Sequence, residues 1–387
     1  MKCKKGVFVY IFGILPLINL IAPFSLYHLS GQSIILLFLI LLISLTNPDK
    51  FERKNLKVAY IFLVGTSIVI LLSFLANFSI ASVGMFAGVV YGFLCILLKH
   101  RYKLYVFDVF IKVLCIFFFL SIIEYYVFLL TGKGIVLGIV FRGDSPHYHL
   151  LLNVIKIVKM RYQFLAAEPG DIGTPCGFLL FILDGVKQYK KQLYMIIIVG
   201  LTSLSFAFYV FFVMYLVWNA SRINANKVVT LIFLVMFVGI FMHGRIEQYI
   251  IQRYSEEQYD NRSSDSFDVE FGRYIKSNDV WFGKGYGSTD KIDDFSNVVG
   301  LKRELYEVGL IGIIFVFLAF SIPYFRLNKM TFKLFVFFMV FWLSYYQRSN
   351  IYNFGIEFLF FNVGALAAFD PQEVTKGKNY QNENTLY

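Results

Sequence analysis

Ionisable side chains gather at the mouths of apolar runs in this chain, where charge is expensive and asks for a chemical reason. The stretch RYQFLAAEPGDIGTPCGFLLFIL (161–183) sets Arg161, Glu168 and Asp171 directly before an apolar run. Further on, GRYIKSNDVWFGKGYGSTD (272–290) joins Arg273 to a glycine-rich segment carrying Lys284 and Tyr286. Then SNVVGLKRELYEVGLIGIIFVFL (296–318) places Asn297, Glu304 and Glu307 ahead of Gly309 and Gly312. A carboxylate so placed can take a proton from a hydroxyl, and a guanidinium keeps its charge and grips phosphate oxygens two at a time. Together they suit chemistry on a diphosphate at a membrane surface.

Local geometry sharpens the candidates. Pro169 biases Glu168 away from helical angles, and Gly170 and Gly173 permit a tight turn, so Glu168 is expected on a bend. Asp171 fits equally well as the cap of the next helix. The segment FGKGYGS is not a phosphate-binding P-loop, because GxxxxGK[ST] is absent and no strand precedes it. Its glycines instead let the backbone turn closely beside a ligand or another segment. Arg142, Arg245 and Arg253 are further cations of the same kind, with Arg245 at the entrance of a long polar segment. Glu124 and Glu357 fall within spans, each either a site residue or a structural hydrogen-bond acceptor. Asp108 and Lys112, one helical turn apart, are expected to pair or snorkel. His147 and His149 form an HxH pair, but no third ligand stands at metal spacing, so no metal or other cofactor is expected. Cys3, Cys95, Cys115 and Cys176 form no CxxC pair and suggest neither a disulfide framework nor a zinc site.

The elements that must position these groups are membrane spans. Of 387 residues, 58% are hydrophobic and only 16% charged, a balance wrong for a soluble domain. Candidate spans lie near 7–25, 31–46, 57–76, 80–98, 104–130, 172–186, 193–218, 228–242, 305–325, 334–347 and 351–369. The first follows Lys2, Lys4 and Lys5 without an A-x-A cleavage site and is expected to be retained. The net charge of +11 reflects basic connectors between spans rather than a nucleic-acid ligand. Lys50, Arg53, Lys54 and Lys57, then Lys99, Arg101 and Lys103, then Lys187, Lys190 and Lys191, then Arg326, Lys329 and Lys333 should share the cytoplasmic side. That parity requires the run 193–218 to cross twice, hinged near Gly200, Thr202, Ser203 and Ser205; a single tilted helix is the alternative. The expected fold is therefore all-α, with about twelve spans and both termini inside. Residues 1–370 form one transmembrane domain, with segments 131–171 and 243–304 facing outward, and 371–387 form a disordered tail. Within the first outward segment, Leu151, Val154, Ile155 and Val158 share one helical face, opposite Asn153, Lys156 and Lys159, which predicts a helix lying flat at the surface.

In the order of these features the chain resembles the O-antigen polymerase and O-antigen ligase superfamily of bacterial envelope glycosyltransferases. The resemblance rests on Arg161 to Glu168 with EPGDIG before a span, LTSLS at 201–205, Arg273 followed by WFGKGYGS, and Asn297 leading to LYEVGLIG. It covers roughly the C-terminal two thirds. Phe206 stands where members often carry an Arg after the LTxS segment, and Ser296 where ligases typically carry a His before the Asn. The latter turns the reading from ligase toward polymerase. The resemblance implies a C-type-like, metal-independent transferase of the inner membrane, acting on polyprenyl-diphosphate-linked saccharide at the periplasmic face. It also implies that Arg161 and Arg273 bind diphosphate and that Glu168 contacts substrate. The expected reaction is polymerisation of repeat units for O-antigen, capsule or exopolysaccharide. Glu168 or Glu304 would be the base, with Arg161, Arg245, Arg273, Lys284, Tyr286 and Asn297 on substrate; a chain-length regulator is an optional partner. Ligation to the lipid A core and flipping or transport of lipid-linked sugars are the alternatives.

Overall fold

A backbone taken out of water must satisfy its own polar groups, and the helix does so within one segment, so the apolar runs fold as helices. The structure, a computed structural model, describes residues 6–18, 32–78, 80–142, 145–156, 162, 164, 169–184, 186–219, 265–289, 292, 300–328, 331–347 and 359–366. The helices are α1 (Val7–Ile18), α2 (Gln32–Leu45), α3 (Leu56–Asn77), α4 (Ile80–Leu97) and α5 (His100–Thr131), then α6 (Pro169–Leu183), α7 (Lys190–Thr202) and α8 (Phe206–Asn219). They continue with α9 (Asp265–Ile275), α10 (Leu301–Leu327) and α11 (Phe332–Gln347), and a π-helical turn spans Leu359–Gly364. α3 with the short turn ahead of it, α5 and α10 are long and apolar enough to cross a membrane, and α1, α4, α6, α8 and α11 hold shorter apolar stretches. This is the build of a helical membrane protein. The expected span near 228–242, the beginning of the one near 351–369 and the tail 371–387 lie outside the described residues.

The basic connectors come together at one side of the bundle. Phe51 and Leu98 form an antiparallel bridge, the Lys99 amide donates to the Lys50 carbonyl at 2.9 Å, and the Glu52 amide donates to Leu97 at 2.7 Å. Lys333, just inside α11, donates to the Asp184 carbonyl at the end of α6 at 3.3 Å. Tyr189, at the start of α7, meets the ring of Phe107 in the first third of α5, at 6.1 Å between centroids. Asp108 and Lys112 pair at 2.8 Å as their spacing suggested.

The run 193–218 folds back on itself. α7 ends at Thr202, Leu204 takes a left-handed φ of 50°, and α8 returns until Tyr215 donates to Asp184 at 3.1 Å, beside the end from which α7 set out. Gly200 admits the Phe208 ring, since a Cβ there would lie 2.0 Å from it. Both halves are short, and each leans on protein: Ile196, Val199, Phe208 and Phe211 are buried. Close helix contact recurs between α3 and α10, where a Cβ on Gly65 would stand 3.2 Å from that of Ala319.

The described chain is mostly helical, as an all-α membrane protein should be, and the segment after α5 adds a small three-stranded antiparallel sheet, β1 (Gly138–Arg142), β2 (Ser145–His149) and β3 (Val154–Lys156). In register, His147 lies opposite Val140 and Lys156, and His149 opposite Gly138 and Val154. One expectation is corrected there. No surface helix forms at 151–156: Leu151 and Leu152 make a turn and Val154–Lys156 a strand, while Val158 and Lys159 lie outside the described residues. The cause is Glu124, whose carboxylate accepts the Leu151 and Leu152 amides at 3.0 Å each and the Asn153 side chain at 2.7 Å. Asn153 also donates to the Ser121 carbonyl at 2.8 Å, and Ser121 and Tyr162 hydroxyls meet at 3.0 Å. Glu124 is thus a structural acceptor that latches the sheet to α5. Hydrogen bonds to a charged group are worth about 1.5–3 kcal/mol each, so Glu124→Ala is expected to open the β2–β3 turn locally at a cost of about 3 kcal/mol. Amide exchange over β2 and β3 should accelerate about a hundredfold; unchanged protection would show the latch to be idle.

Candidate functional site

The glycine-rich loop and the acidic mouth of α10 meet at a break in the helix. Gly309 has φ 70° and ψ 176°, a region open to glycine alone, and it interrupts the ladder of α10. The carbonyls just before the break accept donors from outside the helix: Leu305 from the Tyr274 hydroxyl, Tyr306 from the Lys284 amide and Glu307 from the Gly285 amide, the last two at 2.8 Å. The loop glycines serve this close approach. A Cβ on Gly283 would lie 2.4 Å from the Glu307 carbonyl oxygen, and one on Gly285 would lie 2.6 Å from that of Ser73. Of the two expectations for FGKGYGS, packing beside another segment is what the structure displays. Tyr286 is pinned to the end of α3, its amide donating to the Ser73 hydroxyl at 2.7 Å and its carbonyl accepting from Asn77 at 2.5 Å.

Near this break two carboxylates are sealed from solvent. Glu304 and Glu307 are both 0% exposed. The Tyr345 hydroxyl, from α11, donates to Glu304. Glu307 Oε1 accepts from the Thr289 hydroxyl at 2.6 Å and from Arg303 Nε at 3.1 Å. Each donor holds its carboxylate in a fixed position, and burial makes those contacts electrostatically strong. A carboxylate that accepts from a phenol has the chemistry to exchange a proton with a hydroxyl brought to it.

α9 closes the mouth through its aromatic face: Phe267, Phe271 and Tyr274 pack on Tyr306, with the Tyr274 and Tyr306 rings 4.8 Å apart. Burial, and then the nearby Asp279 carboxylate, push the Tyr274 hydroxyl up, so it stays protonated and remains a donor to Leu305. Arg273 points the other way, its side chain 76% exposed and 3.7 Å from Glu270. Lys284 pairs with Asp279, and Lys302 with Asp268 at 3.1 Å.

The other mouth is only partly described. Arg161, Glu168, Arg245, Asn297 and Glu357 lie outside the described residues. The residues after Glu168 correct the expected turn: α6 begins at Pro169, so Gly170 and Gly173 are helical and Asp171 sits in the first turn rather than at the cap. Gly173 is needed for contact, because a Cβ there would lie 2.2 Å from that of Ser205 and 3.2 Å from the Ser203 hydroxyl. EPGDIG therefore meets LTSLS, as WFGKGYGS meets LYEVGLIG.

The structure brings Glu304 and the Lys284 and Tyr286 backbones to this region, and it leaves Arg273, expected on diphosphate, outside the buried cluster. The sequence marks Glu307 beside Glu304 without giving it a role, and it does not single out Thr289, Arg303 or Tyr345. The four-residue spacing of Arg303 and Glu307 was a readable signal for their pair. Tyr345 and Thr289 reach their carboxylates from distant segments and carry no local signal. Among the described residues no group of three or more His, Cys, Asp or Glu could hold a metal ion, and Cys95, Cys115 and Cys176 are free and buried. No protein-family model, curated protein or solved structure matches the chain.

Proposed function

We propose that this chain is a membrane-embedded glycosyltransferase that polymerises lipid-linked oligosaccharide repeat units at the periplasmic face of a bacterial inner membrane. The observation that carries the reading is the buried Glu304, fixed by Tyr345 in the first turn of a broken span whose Tyr306 and Glu307 carbonyls hold the loop that bears Lys284 and Tyr286. The resemblance in motif order supports it from the sequence.

In the reaction a sugar hydroxyl of one lipid-linked unit attacks the anomeric carbon of the glycan on a second carrier. A new glycosidic C–O bond forms, the bond from the anomeric carbon to the phosphate oxygen breaks, and polyprenyl diphosphate departs with the bonding electrons. The hydroxyl proton passes to a carboxylate, Glu304 or Glu168, and cations stabilise the departing diphosphate. Arg161, Arg245, Arg273 and Lys284 are the candidate cations, and Tyr286 and Asn297 the candidate sugar contacts. Transfer to lipid A core would use the same parts with a different acceptor.

One feature favours a transporter instead: broken helices beside buried acids are how many carriers build ion sites. Against it, the Leu305, Tyr306 and Glu307 carbonyls at this break are already engaged by Tyr274, Lys284 and Gly285. Purified full-length protein in lipid nanodiscs, given lipid-linked repeat units and no energy source, is expected to produce a ladder of longer glycans. Movement of the units across proteoliposomes without bond formation would decide for the carrier.

A further inference from the structure

Among the basic side chains near the α10 mouth, Arg303 differs from the others in how it is held. Its Nε donates to Glu307 Oε1 at 3.1 Å, with Glu307 fully buried and the Arg303 side chain 24% exposed. The same carboxylate oxygen is fixed from the other side by the Thr289 hydroxyl at 2.6 Å. A buried ion pair seldom stabilises a fold more than well-packed apolar residues would, so stability alone does not account for this arrangement. What it achieves is orientation: a planar, permanently charged fork held at one angle by a carboxylate that is itself clamped. Arg273 has no comparable restraint, being largely exposed and 3.7 Å from Glu270 on its own helix. Lys302 and Lys284 pair with acids on the surface, at Asp268 and Asp279. Arg303 also lies next to Glu304 in sequence, so the oriented cation and the buried carboxylate share one helical turn.

We infer that Arg303, oriented by Glu307 and Thr289, is the principal contact for the diphosphate of the substrate at this mouth, ahead of Arg273. This rests on the polymerase reading for its ligand class, while the choice of residue rests on geometry. Oriented guanidinium binds phosphate oxygens in pairs, which an ammonium cannot reproduce, so lysine should not replace it.

Full-length protein in nanodiscs, titrated in parallel with farnesyl diphosphate and inorganic pyrophosphate, tests the assignment. Arg303→Ala is expected to weaken both at least tenfold and Arg303→Lys nearly as much. Arg273→Ala should cost less, and Lys276→Ala, on the exposed surface beyond α9, should stay within threefold of wild type. Glu307→Gln should weaken binding severalfold with the guanidinium still present. If Arg303→Ala does not accumulate folded, Arg303→Lys, which keeps the charge for Glu307, carries the same expectation. Wild-type affinity in the Arg303 variants, a larger loss in Arg273→Ala, or a loss confined to farnesyl diphosphate would each overturn the assignment and leave the polymerase reading standing. Wild-type protein that binds neither probe would overturn both.

Discussion

Gly309→Ala is expected to leave little folded protein in the membrane. The backbone there has φ 70° and ψ 176°, so a side chain costs about 1–3 kcal/mol in strain alone. A Cβ would also lie 2.5 Å from the Gly283 nitrogen and 2.6 Å from both the Phe282 carbonyl carbon and the Trp281 oxygen, all of them backbone atoms that cannot swing aside. Relief requires the loop to lift, which gives up the Lys284 and Gly285 donations to Tyr306 and Glu307 at roughly 1–3 kcal/mol for each group left buried and unsatisfied. The sum is on the order of 5 kcal/mol or more, comparable with the whole stability of many domains. Gly132 separates strain from overlap: it has φ 64° but nothing within 4 Å of its Cβ position, so Gly132→Ala should cost only about 1 kcal/mol. Detergent-solubilised variants compared by size exclusion and thermal melting decide the matter. Near-wild-type melting of Gly309→Ala would mean that the break in α10 is not built around that glycine.

The physics of each segment explains what could be read from residues alone. Apolar runs declared the helices because little else can bury them, and Gly200 with Thr202, Ser203 and Ser205 marked where the 193–218 run folds back. The sheet stayed hidden because Leu151 to Lys156 is too short to distinguish a period of 3.6 from a period of 2. The deciding contact, Glu124 on the 151–153 turn, spans 27 to 29 residues. Gly170 and Gly173 read as a turn because glycine signals either backbone freedom or close contact, and only the nearness of Ser205 reveals which. At the α10 mouth the acids were visible from their position before a span. Their partners were not: Thr289 lies 18 residues and Tyr345 41 residues from the carboxylates they hold.

On the polymerase reading proposed above, Glu304→Gln should abolish polymer formation while leaving the protein in place. Glutamine keeps the size of the side chain and can still accept from the Tyr345 hydroxyl, so the contact between α10 and α11 survives and accumulation should match wild type. It cannot take a proton at neutral pH. If Glu304 is the group that receives the hydroxyl proton of the acceptor sugar, the rate should fall about 10²–10⁴-fold. Tyr345→Phe keeps the carboxylate and removes the donor that orients it, so a smaller loss, about tenfold, is expected at similar protein levels. A purely structural Glu304 predicts the reverse order, with glutamine tolerated and phenylalanine harmful through an unsatisfied buried carboxylate. Glycan length ladders from cells lacking the native enzyme, complemented with each variant at matched abundance, separate the two orders. A full ladder from Glu304→Gln would remove Glu304 from the chemistry and leave Glu168 as the candidate base.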